Sequence, residues 1–141
     1  MKFLGHPVHP ILVAFPIALL VLTPIWDGLA FFGIANLAPV GYWTELAGLV
    51  GGGLAAVTGL VDFMGLKEPS AELTSTALRH AGFAAATLAL FVTAFALRGG
   101  ASGEPTLFVV GLELIGALGL GITGWLGGHL VFGYGVGVDE R

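Results

Sequence analysis

The chain has 141 residues, 56% of them hydrophobic and 10% charged, with a net charge of −4 and no cysteine. A water-soluble domain carries about 25% charged residues, so this composition points to the membrane. It offers no basic surface for nucleic acid, and no thiols for disulfides, iron–sulfur ligation or thioether-linked haem.

In chain order, four apolar stretches each approach the ~20 residues a bilayer core requires. The first span is expected from Pro10 to Phe32. Its histidine–proline start, its long apolar run, Asp27 and the lack of a small-residue cleavage pattern argue against a cleavable signal peptide. A loop from Asn36 to Gly41, containing Pro39, precedes a second span from Trp43 to Met64. The polar segment Gly65 to Ser75 leads to a third span from Ala77 to Leu97. A short turn from Gly99 to Pro105 leads to the fourth, from Thr106 to Gly128, followed by a glycine-rich tail along the interface. The expected fold class is all-α: one integral-membrane four-helix bundle covering residues 1–141.

The spans read as two repeated helical hairpins. Setting Thr58-Gly59 over Thr123-Gly124 also aligns Gly51 with Gly116 and Val57 with Ile122, and the first and third spans each open near a histidine, His9 and His80. Hairpins repeated in one orientation are related by an axis along the membrane normal. Small residues at four-residue intervals (Gly48, Gly52, Ala56; Gly124, Gly128) let helices approach closely, within the chain or across a homodimer. Lys2, Lys67, Arg79 and Arg141 fall on the side of both termini and only Arg98 on the other, which favours cytoplasmic termini.

That topology gathers the four histidines and Asp62 at the terminal side, where unpaired polar groups are costly and so mark a site. In HPVHP the prolines hold His6 and His9 extended, with Pro10 suited to the first helical turn and His9 at the helix start. Imidazoles there are candidate ligands or proton acceptors; a polar helix start at headgroup level is the plain alternative. His80 is expected one turn into the third helix, and His129 after a GWLGG run that clears space beside it. Asp62, flanked by hydrocarbon in GLVDF, suits a hydrogen bond to the ring N–H of a ligating histidine, or a pairing with Lys67 or Arg79. Asp27 and Glu45 lie toward the opposite face, with Glu113 about two turns inside the fourth span; these three are candidates for a second polar site or proton path. Trp26, Trp43 and Trp125 read as interface anchors and packing.

The opening GHPVHPILVAFPIALL, Asp27, the TGLVDF block, His80 and the closing GWLGGHLVFGYGVGV resemble the small bacterial membrane proteins grouped as domain of unknown function 2231. The similarity spans nearly the whole chain. It implies four transmembrane helices in a bacterial plasma membrane, and redox work, since some members are joined to Rieske-type iron–sulfur domains; it implies no established activity.

Three functional classes are open. In the first, His9 and His80 ligate a haem b, Asp62 supports them, and quinone or an iron–sulfur partner exchanges electrons. In the second, His6, His9, His80 and His129, with or without Asp62, hold zinc or copper. In the third, the protein is a non-catalytic structural subunit. No serine–histidine–aspartate order, phosphate-binding loop, dinucleotide glycine pattern or HExxH occurs, which argues against hydrolytic and nucleotide-driven enzymes; a redox role would be that of a non-hydrolytic electron-transfer subunit.

Overall fold

A computed structural model describes residues 2–3, 6–34 and 36–138, with side chains from residue 8 onward. Four helices make the structure: α1 Val8–Phe31, α2 Ala38–Met64, α3 Ala71–Leu97 and α4 Leu107–Tyr134. All four are long and apolar enough to cross a membrane, and the protein is an all-α four-helix membrane bundle. At the N-terminus, Lys2–Phe3 pairs antiparallel with His6–Pro7 immediately before α1.

The helices run longer than hydropathy alone predicts, because caps and not apolarity decide where they stop. Pro39 lies in the first turn of α2, where its missing N–H costs nothing, so the helix begins at Ala38 and not after the proline. Ser70 caps α3, accepting from the Leu73 N–H at 3.1 Å, which starts that helix six residues before the expected Ala77. Thr106 caps α4 through the Val109 N–H, and α4 continues through His129 to a left-handed glycine cap at Gly135. Lengths of 24 to 28 residues correspond to about 36–42 Å, against a hydrocarbon core of about 30 Å.

Neighbouring helices α1 and α2 form one closely packed pair and α3 and α4 the other; α1–α4 and α2–α3 contacts close the bundle. Glycine makes the close approaches. A Cβ at Gly48 would meet Leu20 of α1 at 2.7 Å, one at Gly52 would meet Leu88 of α3 at 2.7 Å, and one at Gly116 would meet Phe91 at 2.7 Å. The expected small-residue ridge is therefore half right. Gly48 and Gly52 are buried and used, Ala56 is exposed while Ala55 is buried, and Gly124 and Gly128 face open space. The core is small, with Leu20, Phe91 and Ala94 fully enclosed. Large exposed residues such as Phe15, Leu54, Leu118 and Trp125 coat the outside, as expected where lipid is the solvent.

Candidate functional site

Among the described side chains, His9 and His80 pair and His129 stands elsewhere. His9 stands in the first turn of α1, but α2 overshoots that end, so the ring meets α2 at Ala55, nine residues short of the α2 terminus at Met64. His80 lies nine residues into α3 instead of one turn, because α3 begins at Ala71. The pair thus sits well below the tips of α2, α3 and α4, with ring centroids 6.4 Å apart and planes perpendicular. Both rings are partly buried.

The two rings are held in the same manner. His9 Nδ1 lies 2.8 Å from the Ala55 carbonyl and His80 Nδ1 lies 3.0 Å from the Thr123 carbonyl. A carbonyl only accepts, so each Nδ1 carries the proton and each Nε2 keeps its lone pair. One turn beyond each carbonyl is a glycine that makes room for the ring: a Cβ at Gly59 would lie 2.9 Å from His9 Cε1, and one at Gly127 3.1 Å from His80 Cε1. The ring contacts pair Ala55/Gly59 with Thr123/Gly127, a different register from the Thr58-Gly59 over Thr123-Gly124 alignment expected for repeated hairpins, so they do not confirm that repeat. Thr58 Oγ1 adds a contact of 3.4 Å to His9 Nδ1 while donating to the carbonyls of its own helix.

The remaining predicted residues are placed differently. His129 is exposed near the end of α4, parallel to Trp125 at 6.0 Å and edge-on to Tyr134 at 5.2 Å, so it packs within its own helix and cap. Asp62 is half-buried in the last turn of α2; the ring N–H partners of His9 and His80 described above are main-chain carbonyls. The His6 side chain lies outside the described residues.

A second polar site occupies the other end of the bundle, and every helix contributes to it. Asp27 (α1), Glu45 (α2) and Glu113 (α4) are wholly buried, as is Arg98, which caps the end of α3. Arg98 grips Asp27 with both terminal nitrogens: Nη1 donates to Oδ2, and Nη2 to Oδ1 at 2.8 Å. Nη2 also donates to the Ala38 carbonyl at 2.8 Å, Nη1 stands 3.5 Å from Glu45 Oε2, and the guanidinium lies 5.9 Å from the Tyr42 ring centre. Gly41 is the space Asp27 occupies, since a Cβ there would overlap Oδ1. Oxygens of Asp27, Glu45 and Glu113 lie within 4.8 Å of one another.

Arg98 is the residue sequence reasoning missed. Counted as a loop charge, it is in fact the buried counter-ion of Asp27, with Glu45 3.5 Å away. A signal was present: Asp27, Glu45 and Glu113 all fall toward one end of apolar helices, and Arg98 is the one basic residue near that end.

No curated protein and no solved structure matches the chain. Residues 5–140 match the family described as predicted membrane protein, DUF2231. The match takes in both polar sites and all four helices, and the chain belongs to that family of predicted membrane proteins.

Proposed function

We propose that His9 and His80 would hold a haem b in a membrane electron-transfer protein of the bacterial plasma membrane. The observation carrying this reading is the pair itself: two imidazoles from α1 and α3, 6.4 Å apart, each with Nδ1 bound to a carbonyl and Nε2 left as a donor. Bonding the far ring nitrogen to a hydrogen-bond acceptor is what fixes the tautomer of a ligating histidine and raises its basicity. The Nε2 atoms of His9 and His80 are the ring nitrogens that would hold the haem.

The donor count separates haem from a bare metal. Zinc in a protein site takes three or four side-chain ligands. Among the described residues, the three ligand-bearing side chains that converge are Asp27, Glu45 and Glu113, not a trio around the histidines. Two nitrogens suit an ion whose remaining positions come from a macrocycle. When bound, such a group supplies one-electron chemistry; quinone or an iron–sulfur protein is the exchange partner this reading implies. The chain's own residues orient the imidazoles through the Ala55 and Thr123 carbonyls. Burial of Arg98 removes the one basic residue from the side opposite the termini, which supports cytoplasmic termini.

An absorption spectrum of the protein, extracted gently and reconstituted with haemin if pale, tests the reading. A Soret band that shifts on dithionite reduction and is lost in both His9→Ala and His80→Ala is expected. A colourless protein with stoichiometric zinc or copper transfers the pair to a metal site that recruits His6. A protein that takes up neither overturns both.

A further inference from the structure

Three carboxylates and one guanidinium are sealed in the bundle end where the α1–α2 and α3–α4 connections lie. If all ionised, they would carry a net charge of −2 at a site buried from bulk solvent, where an uncompensated charge costs several kcal/mol or more. Arg98 and Asp27 neutralise each other through the paired hydrogen bonds. That leaves Glu45 and Glu113. Neither oxygen of Glu113 has a hydrogen-bond donor among the described residues, and Glu45 has only the 3.5 Å approach of Arg98. An ionised carboxylate only accepts, so two such groups buried side by side lack the donors that would stabilise both charges. A carboxylic acid can donate, and the Glu113 side chain is directed at the oxygens of Asp27 and Glu45, all within 4.8 Å.

We propose that Glu45 and Glu113 form a proton-binding site within the membrane, holding two protons that balance the cluster against the Arg98–Asp27 pair. The groups facing it are Asp27 from α1, Tyr42 from α2 and Arg98 from the end of α3; no further cation shares the cluster among the described residues. The protons come from bulk water, and each forms an O–H bond on one carboxylate oxygen. A cleft of mixed character at the same end, lined by Ala30, Phe31, Asn36, Glu104, Pro105 and Thr106, opens beside Ala30, one helical turn from Asp27. This site shares no residue with the histidine pair, and its test does not depend on haem.

Infrared spectroscopy of the full chain in lipid nanodiscs reads the protons directly. At pH 7, solvent-exposed carboxylates are ionised, so a carboxylic-acid C=O band sensitive to deuterium oxide is expected from Glu45 and Glu113. Each of Glu45→Gln and Glu113→Gln should remove about half of it. Both variants keep shape and neutrality and so should fold; if one does not, the wild-type band alone decides. Absence of a protonated-carboxyl band at pH 7 overturns the proposal. So does a band untouched in both variants, or a stoichiometric metal cation that Glu113→Gln releases.

Discussion

At the end holding His9 and His80, the polar groups are imidazole rings, each tied to a main-chain carbonyl and accommodated by a glycine one turn along. At the opposite end, a wholly enclosed Arg98–Asp27 pair stands beside two carboxyl groups, those of Glu45 and Glu113. Every helix supplies something to both ends, yet the two sites ask different things of the fold. Rings bonded to carbonyls through one nitrogen keep the other in reserve. A guanidinium holding a carboxylate spends its donors on structure. The first arrangement is suited to taking a ligand, the second to fixing helices and storing protons.

The largest expected effect lies at the charged end. Arg98→Met strands Asp27, and stranding one member of a buried pair costs about 3–5 kcal/mol; denaturant titration in mixed micelles measures this, and adding Asp27→Asn should recover part of the loss. A variant as stable as wild type would mean the charged end is no anchor. Next comes Gly41→Ala, whose methyl displaces the Asp27 carboxylate, for about 1–3 kcal/mol by the usual cost of overpacking.

At the ring end the ranking of stability and ligand effects inverts. His80→Ala loses one net hydrogen bond, about 0.5–1.5 kcal/mol, but should abolish haem uptake measured by absorbance. A His80→Ala protein that binds haem as wild type does would remove the functional half of the contrast. Gly59→Ala should tilt the His9 ring and shift its 15N resonances more than Gly127→Ala shifts those of His80, following the tighter 2.9 Å approach. Opposite in sign, Gly124→Ala and Gly128→Ala lie inside α4 and meet nothing, so each should stabilise by at most about 0.5–1 kcal/mol through helix propensity alone.

Much of this was legible in the chain. Four helices followed from hydropathy, because lipid admits few other backbones. Their ends did not, since Ser70 and Pro39 act through caps that a hydropathy window averages away. The His9–His80 pair was expected, but its depth was misjudged along with the start of α3. His129 was grouped with them because sequence gives level along a helix more readily than the face a residue occupies. The acids were noticed and their counter-ion was not, because Arg98 stands at the junction of a helix and a glycine turn, where a charge ordinarily meets water. The carbonyl partners of the rings left no trace in residue identity, as any residue could supply them.

The two prolines inside α1 add a mechanical consequence. Pro16 and Pro24 fall between His9 and Asp27, and each denies an amide to the carbonyl four residues earlier, at Leu12 and Leu20. α1 is therefore the most pliable rod of the four, kept in line by neighbours instead of by its own backbone. Leu20, wholly enclosed against Gly48, is the peg between the two joints, so filling that socket would bend the rod and disturb both of its ends at once.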